Sequence, residues 1–277
     1  MKKLFKYNSK IWLLLIELIC ILIFIVSAYK LYNIQDEYDI AVDEYESLAN
    51  SAVTMNEITI NNNNSENKDG VNNTNNKDKL YTEEKYVSYS IDLEELKKIN
   101  NDTVGWIILP DTAINYPILQ TDNNDKYLNT TFEGKQNSAG ALYLDMNSNI
   151  NKDDNNLIIY GHNLKNGKMF RALNDLIKVD YFNKHKVFHI DLGDGFKEYE
   201  IVSCYETVKT DIESWQITFD NKEHYKDWLN DRVKRCTHPC MKVDDDKRTI
   251  ILSTCRGRSG GNGRFVVYLQ ERDVNSY

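Results

Sequence analysis

An apolar run near the N-terminus places the strongest constraint on how this chain can fold. Residues 11–29, "IWLLLIELICILIFIVSAY", approach the ~20 apolar residues that a helix needs to cross a bilayer. Glu17 is the single charge within the run. Lysines precede the run and acidic residues follow it, so the positive-inside rule leaves the N-terminus in the cytoplasm and exports the rest of the chain.

A cleaved signal peptide is the alternative interpretation of this run, with "VSA" at residues 26–28 as a weak cleavage site. The run is longer than a usual signal core, which favours an uncleaved anchor. We therefore expect a single-pass protein of the cell membrane. Residues 1–10 would be cytoplasmic, residues 11–29 would form the transmembrane signal-anchor, and the folded domain would be extracellular.

The segment between the anchor and the folded domain divides into two parts. Residues 36–50 carry apolar side chains at helical spacing, which predicts a short amphipathic helix. Residues 56–79 are nearly all Asn, Lys, Asp and Glu, and such a segment buries too little apolar surface to offset its ordering entropy. We expect residues 30–80 to form a juxtamembrane helix and a disordered Asn-rich stalk, and residues 81–277 to form the folded domain.

The pattern within residues 81–277 is that of a mainly β fold with peripheral helices. Turn residues separate many short strand-like runs, which is typical of a closed barrel or a sandwich. Helical patterns cover residues 90–100, 167–177 and 221–235. The predicted strands are residues 104–109, 116–120, 141–144, 157–161, 187–191, 197–205, 248–254 and 264–270.

Composition excludes several classes of protein. A formal net charge of −8 argues against a nucleic-acid-binding protein, which would carry a basic stripe. The five cysteines are scattered along the chain and do not form a disulfide framework. The glycines of "GRSGGNG" lack the Lys-Ser/Thr of a phosphate-binding loop, so no nucleotide site is indicated.

The segment "TIILSTCRGRSGGNGR", residues 249–264, ends an apolar strand at a cysteine followed by cations and glycines. A cysteine acts as a nucleophile through its thiolate, and nearby positive charge raises the ionised fraction. Arg256, Arg258 and Arg264 supply that charge, which makes Cys255 a candidate nucleophile. A buried, inert cysteine is the alternative for this segment taken alone.

A base for such a nucleophile would come from one of five histidines. His162 follows the apolar run "NNLIIYG" and is therefore presented at the end of a strand, which favours it modestly. The other four histidines are His185, His189, His224 and His238. For the first three, a surface or edge position is the simpler explanation, and His238 lies within "CTHPC".

The motif "CTHPC" leaves three alternatives open. Outside the cytoplasm Cys236 and Cys240 could form a disulfide, which is slightly favoured. With His238 and a distant ligand they could bind a metal, although zinc requires four ligands and the sequence offers no second pair. They could also remain free thiols.

Taken together, these motifs resemble those of the sortases, which are membrane-anchored transpeptidases of Gram-positive bacteria. The segment "IILSTC" is similar to the family motif Thr-Leu-x-Thr-Cys, with Ile251 where Thr is usual. The order His162, Cys255, Arg264 also matches. The segments "INYPILQTDNNDKYLN", "IIYGHNLKNGKMF" and "DYFNKHKVF", with the helical insertion at residues 221–235, resemble class B sortases in particular.

This resemblance covers about residues 91–269 and implies an eight-stranded β-barrel with peripheral helices. It implies that Cys255 attacks the carbonyl of a Thr in the C-terminal sorting signal of a surface protein and forms a thioester. An amine of a peptidoglycan precursor would then accept the acyl group. His162 would protonate the leaving amine and deprotonate the incoming one, and Arg264 would stabilise the oxyanion. No cofactor and no metal are implied.

The same resemblance implies a peptide-binding groove, lined by Leu128, Tyr160, Ser253 and Thr254, with Asn124 as a further member. Three alternative functions remain at this point: a cell-wall cysteine peptidase, a pilin-polymerising sortase and a non-catalytic scaffold. A papain-type peptidase is disfavoured because its Cys precedes its His in the chain.

Overall fold

The computed structural model describes residues 2–61, 83–152, 156–236, 238, 240, 242–257 and 261–273. Two N-terminal strands, β1 and β2, precede eight barrel strands. The strands are β1 (Val53–Asn61), β2 (Glu83–Ile91), β3 (Thr103–Ile108), β4 (Asn115–Leu119), β5 (Leu142–Leu144), β6 (Leu157–Tyr160), β7 (Val187–Asp191), β8 (Phe196–Val208), β9 (Ile250–Cys255) and β10 (Gly263–Glu271).

Strands β3 to β10 close into a barrel in the order β10-β8-β7-β3-β4-β5-β6-β9. Most neighbouring strands are antiparallel, whereas β4 pairs with β5 and β6 pairs with β9 in parallel. Closure leaves no open edge strand in the barrel, which removes unpaired main-chain groups. The predicted mainly β fold with an eight-stranded barrel is confirmed, and its strands lie within a few residues of the predicted runs.

Both faces of the central strands are buried, because helices cover part of the outside of the barrel. Ile159 of β6 and Leu252 of β9 belong to the main core, whereas their neighbours Ile158 and Ile251 pack in a second cluster with Trp228. Successive side chains of a strand point to opposite faces, so one apolar run supplies both clusters. Burial of each such side chain contributes about 1.5–3 kcal/mol, which explains why these strands are apolar throughout.

The N-terminal helix α1 (Lys2–Ala52) is a single element of 51 residues. Its portion from Lys10 onward is long and apolar enough to cross a membrane, and the apolar window is fully exposed. The predicted short helix at residues 36–50 is the last part of α1. There the helix packs on the barrel, with Ala41, Tyr45 and Leu48 buried in the main core.

The segment predicted as a stalk is partly structured. Residues 56–61 are the second half of β1, which pairs with β2 in antiparallel register from Val53↔Ile91 to Asn61↔Glu83. Main-chain pairing with β2 explains how so polar a sequence enters a strand, because the ladder does not depend on apolar side chains. Residues 62–79 of the predicted stalk lie outside the described residues.

Three further α-helices surround the barrel: α2 (Leu93–Ile99), α3 (Val179–Lys184) and α4 (Lys222–Lys234). Asp92 caps α2 by accepting the main-chain N–H groups of Glu94 and Glu95 at 3.1 Å. Asn221 caps α4 by accepting the N–H of His224 at 2.9 Å. The predicted helix at residues 167–177 is a 3₁₀ helix, Phe170–Ile177, and further 3₁₀ helices span Lys126–Leu128 and Ile212–Trp215.

Candidate active site

Cys255 is the last residue of β9 and lies between two neighbouring strands. On one side it is paired in register with Arg264 of β10. On the other side β9 runs parallel to β6, with Ser253 opposite Tyr160. The ends of β6 and β9 therefore reach the same rim of the barrel, where Cys255 is half-buried.

His162 reaches this rim because the chain stays hydrogen-bonded to β9 for one residue, Gly161, after the end of β6. The N–H of Gly161 donates to the Ser253 carbonyl at 3.2 Å, and Phe170 N–H donates to the His162 carbonyl at 2.8 Å. A Cβ at position 161 would overlap the side chain of Leu142 and the ring of Phe170. Glycine is therefore required for the close packing that carries the chain to His162.

The three predicted catalytic residues share one groove of about 530 Å³, which is lined by His162, Cys255 and Arg264 among others. Strand pairing brings Cys255 and Arg264 together, and the parallel pairing of β6 with β9 adds His162. A thiol, an imidazole and a guanidinium at the end of one groove can perform nucleophilic attack, proton transfer and anion stabilisation.

The hydrogen bond of His162 decides which of its ring nitrogens can exchange a proton. Nε2 lies 2.7 Å from the main-chain carbonyl oxygen of Leu128. A carbonyl oxygen only accepts, so Nε2 carries a hydrogen and donates to it. The nitrogen left for acid–base exchange is therefore Nδ1.

The main chain at Cys255 is held by two asparagine side chains. Nδ2 of Asn163 donates to the Cys255 carbonyl oxygen at 2.9 Å, and Nδ2 of Asn174 approaches the same oxygen at 3.4 Å. Arg256 in turn donates to the carbonyl and side-chain oxygens of Asn174, each at 3.2 Å. These contacts fix the strand end that presents the thiol.

The two arginines described next to Cys255 are in different electrostatic states. Arg256 pairs with Glu206, with Nε at 2.8 Å and Nη2 at 2.6 Å from the same carboxylate oxygen. Arg264 instead donates through Nη1 to the carbonyls of Gly261 and Gly263, at 3.0 and 2.8 Å. Those carbonyls are uncharged, so they orient the Arg264 guanidinium without neutralising its charge. Of the two, Arg264 is the cation suited to a developing anion in the groove.

The predicted substrate-binding residues fall into two groups. Leu128, Tyr160, Ser253 and Thr254 line the groove. Asn124 is not among the lining residues; its Nδ2 donates to Asp145 at 2.8 Å, and its Oδ1 accepts the N–H of Met146 at 2.9 Å. The same Asp145 carboxylate accepts the Tyr160 hydroxyl at 3.1 Å. Asn124 therefore contacts the groove through Asp145 and Tyr160.

Two tyrosines in the groove wall remain protonated at neutral pH. Burial, with the charge of Asp145 in support, raises the pKa of Tyr143 to about 12. The same two causes raise the pKa of Tyr160 well above its usual value. Their rings lie 5.3 Å apart and form an apolar wall with hydroxyl groups at its edge. Such a wall suits a peptide backbone with mixed polar and apolar side chains.

Five residues of the groove were not predicted from the sequence: Tyr143, Gly161, Lys209, Ile212 and Trp215. Ile212 is 79% exposed, which is unusual for a large apolar residue and marks the groove edge. Trp215 donates through Nε1 to the Ser253 hydroxyl at 2.9 Å. The segment between β8 and α4 carries no motif that predicts this arrangement. The only signal in the sequence is the two large apolar residues of "IESW", Ile212 and Trp215.

A grouping of carboxylates that could hold a metal ion lies elsewhere on the described chain. Asp244, Asp245 and Asp246 bring their oxygen atoms close together after α4. None of the three lines the groove. The groove itself offers thiol, imidazole and guanidinium groups, a set that suits acyl transfer without a metal.

A comparison with protein families agrees with this geometry. The family model described as "Sortase domain" matches residues 107–272, which is more than half of the chain. The chain belongs to the sortase family. The matched region contains the barrel from the last two residues of β3 onward, together with the three catalytic candidates.

Two curated relatives are sortases of one class. The chain is 34% identical over 163 residues to Sortase B of Staphylococcus aureus, an alignment that covers 58% of this chain and 66% of the relative. It is 36% identical over 165 residues to Sortase B of Listeria monocytogenes, covering 59% of this chain and 67% of the relative. The alignments thus span about two thirds of the length of each relative.

A solved structure extends the similarity to the fold. The Staphylococcus aureus sortase B–substrate complex superposes with a TM-score of 0.62 at 32% sequence identity, covering 66% of this chain and 85% of that one. The predicted resemblance to class B sortases is confirmed by these matches. Sortases are cysteine transpeptidases that anchor surface proteins, so this sortase is an enzyme of that class.

Proposed function

We propose that this sortase cleaves a C-terminal sorting signal after a Thr and transfers the surface protein to an amine of a peptidoglycan precursor. The observation that carries the proposal is the placement of Cys255 opposite Arg264, in a groove shared with His162. A thioester mechanism requires a nucleophile, a proton carrier and an anion-stabilising group within reach of one carbonyl.

In the acylation step the Cys255 thiolate attacks the Thr carbonyl carbon and forms a tetrahedral oxyanion. The free charge of Arg264 stabilises that anion. Collapse breaks the amide bond, and the leaving amine takes from Nδ1 of His162 the proton that the Cys255 thiol gave up, while the Leu128 carbonyl holds the ring through Nε2. The product is a thioester between Cys255 and the surface protein.

In the transfer step the amine of the peptidoglycan precursor attacks the thioester. His162 accepts the proton of the incoming amine, and Cys255 leaves as a thiolate. An amide bond replaces the thioester bond, so atoms and charges balance without a cofactor. Splitting one amide exchange into two steps lowers the barrier of each.

The peptide would lie between two walls of the groove. We assign one wall to Leu128 with the neighbouring rings of Tyr143 and Tyr160, and the other to Ile212 and Trp215 of one 3₁₀ helix, because all five line the groove. Ser253 and Thr254 are 3% and 2% exposed, so they contribute the buried floor next to Cys255. Asn124 would act as a positioning residue, because it holds Asp145, which accepts the Tyr160 hydroxyl.

We further propose that the enzyme is a single-pass protein of the cell membrane with its N-terminus inside and its catalytic domain outside. The exposed apolar part of α1 supports the span, and the lysines before it support the orientation. The proposed division of the chain is residues 1–10, 11–29, 30–80 and 81–277. Tyr45 and Leu48, which pack in the barrel core, tie the 30–80 segment to the catalytic domain.

The test uses the full-length protein in detergent micelles and a library of fluorogenic peptides that each contain a Thr-based sorting signal. Each peptide is incubated with and without an amine acceptor, and Cys255→Ala serves as the control. We expect cleavage that depends on Cys255 and yields an amine-linked product. Cysteine-dependent cleavage to the free acid with every acceptor would indicate a peptidase instead. Linkage only to a lysine of a pilin subunit would indicate a pilin polymerase.

A further inference from the structure

Cys236 and Cys240 of the motif "CTHPC" follow α4, and Cys236 contacts a third cysteine, Cys204. Sγ of Cys236 lies 2.9 Å from Sγ of Cys240. The main-chain N–H of Cys204, in the middle of β8, donates to Sγ of Cys236 at 3.3 Å. Cys236 is thus the central member of a three-sulfur cluster that none of the catalytic steps uses.

The three thiols differ in their reactivity. Hydrogen bonds from Cys204 and Cys240 lower the pKa of Cys236, and the N–H groups of His238 and Cys204 add to the effect. The contact with Cys236 and burial raise the pKa of Cys204, which is 2% exposed. Cys240 has a raised pKa for the same two reasons, but it is half-buried and thus more accessible than Cys204. Cys236 therefore supplies the reactive thiolate, and Cys240 is its accessible neighbour.

A metal site is less consistent with this geometry. Tetrahedral zinc requires ligands at similar distances from one ion, with Zn–S bonds of about 2.3 Å. Within the described residues, the metal-type grouping is that of the Asp244–246 carboxylates and includes none of these sulfurs. The cluster is a row with Cys236 in the middle, which suits bond formation between one neighbouring pair.

The end of α4 also supports one wall of the groove. Arg235, next to Cys236, donates to the Asp211 carboxylate at 2.7 Å. Asp211 accepts the hydroxyl of Ser214 at 3.0 Å, within the 3₁₀ helix Ile212–Trp215. Ile212 and Trp215 of that helix line the groove. A short series of contacts therefore joins the cysteine pair to the groove wall.

We propose that Cys236 and Cys240 form a reversible disulfide, and that this bond fixes the end of α4 on which the Ile212–Trp215 wall rests. The first part stands by itself, whereas the second part rests on the proposed function of the groove. An extracellular location, as proposed above, supplies the oxidising surroundings in which disulfides persist.

The oxidant is a disulfide, either of a small thiol compound or of a thiol oxidoreductase. The Cys236 thiolate attacks one sulfur of that disulfide, forms a mixed disulfide and releases one thiol. The Cys240 thiolate then attacks Sγ of Cys236, closes the intramolecular bond and releases the second thiol. Two protein thiols lose two electrons and two protons, and the external disulfide gains them.

The experiment equilibrates the full-length protein in detergent micelles with glutathione buffers from reducing to oxidising. Samples are quenched with acid, alkylated under denaturing conditions and mapped by mass spectrometry. We expect Cys236 and Cys240 to lose alkylation together and to appear in one peptide that is lighter by two hydrogens. Cys204 should stay alkylated throughout. The variant Cys204→Ala is the matched control and should retain the bond, whereas Cys240→Ser should lose it.

Three results would overturn the first part: both thiols alkylated in the most oxidising buffer, a bond that includes Cys204, or stoichiometric zinc retained with all three thiols reduced. This readout needs no activity, so it remains decisive if the proposed function fails.

The second part is tested by kinetics on sorting peptides. We expect the KM of Cys240→Ser to rise about threefold with an unchanged kcat, because the groove wall loosens while Cys255, His162 and Arg264 stay in place. Wild-type protein from the reducing and the oxidising buffer, with Cys255 shown by mass spectrometry to be free of glutathione, should also have the higher KM when reduced and the lower KM when oxidised, at the same kcat. This comparison separates the effect of the bond from a folding defect. Equal KM values for the oxidised wild type, the reduced wild type and Cys240→Ser would refute the link to the groove.

Discussion

Cys255 and Cys204 flank the same strand, β10, yet their surroundings differ in nearly every respect. Cys255 is opposite Arg264 at the end of β9 and faces the groove. Cys204 is opposite Val267 in the middle of β8 and is 2% exposed. One thiol thus has a free cation and a histidine near it, and the other has apolar neighbours and a second sulfur.

The difference teaches that position along the strand decides what a cysteine can do in this barrel. In mid-strand the contact with Cys236, together with burial on both faces, raises the pKa of the Cys204 thiol. At the strand end the ladder stops, and the carbonyls of Gly261 and Gly263 orient the Arg264 guanidinium beside the groove. The same residue type is a packing group in one place and, in the proposed mechanism, the nucleophile in the other.

The largest expected effect comes from removing each thiol by a Cys→Ala substitution. Cys255→Ala should reduce kcat/KM for transpeptidation by at least ~10³-fold, because no other described group in the groove can form the thioester. Cys204→Ala should keep kcat/KM within about threefold and lower the melting temperature by a few degrees, since it leaves a small cavity in a packed strand. Peptide assays and thermal melting measure both. Similar losses of kcat/KM in the two variants would contradict the claim that only the cysteine at the strand end takes part in the reaction.

Substitution of the histidine tests whether the strand end of β6 matters as much as that of β9. His162→Gln should lower kcat by about 10²–10⁴-fold, the usual contribution of a general acid–base group. His224→Gln is the control, because His224 lies on α4 and does not line the groove. Rapid-quench measurement of thioester formation gives the rate. An unaffected thioester rate in His162→Gln would remove this residue from the acylation step.

Replacing the arginines compares a free cation with a neutralised one. Arg264→Lys should lower kcat by about tenfold to a hundredfold, because a lysine cannot reproduce the two carbonyl contacts that aim the guanidinium. Arg256→Lys should lower kcat by less than about threefold, because the charge of Arg256 is already paired with that of Glu206. Steady-state kinetics on one sorting peptide provide the comparison. Equal losses of kcat in the two variants would mean that the total positive charge near Cys255 matters, and not the orientation of the Arg264 guanidinium.

The sequence predicts the strands and the polar residues at their ends, but not the contacts between segments that are distant in the chain. Apolar runs bounded by turn residues predict the eight strands. Cys255, the last residue of β9, and His162, two residues after β6, are recognisable as polar groups at strand ends. The parallel pairing of β6 with β9 was not predictable from the residues themselves, because it joins segments about ninety positions apart. Trp215 was missed for the same reason, since its contact with Ser253 crosses the fold.

The N-terminal helix shows a second limit of prediction from the sequence. The spacing of apolar residues in 36–50 predicted a helix, but the surface that this helix covers depends on the tertiary fold. The Tyr45 hydroxyl donates to the Gly140 carbonyl at 2.7 Å and accepts the Phe132 N–H at 3.2 Å. Position 140 has a φ of +60°, and a Cβ there would overlap the Tyr127 carbonyl and lie 3.1 Å from the His162 ring. The loop held by Tyr45 thus lies directly behind His162.

The smallest effect is expected from Tyr45→Phe, which removes these two hydrogen bonds and keeps the ring. Loss of two buried bonds should cost about 1–3 kcal/mol of folding free energy and lower the melting temperature by a few degrees. Well below that temperature kcat should change by less than about threefold, because the Leu128 carbonyl still orients His162. Tyr38→Phe is the control, since Tyr38 only packs against the same core. A kcat loss of tenfold or more would mean that the reactivity of the Cys255 end depends on helix docking, and the contrast with Cys204 would then not be a matter of strand position alone.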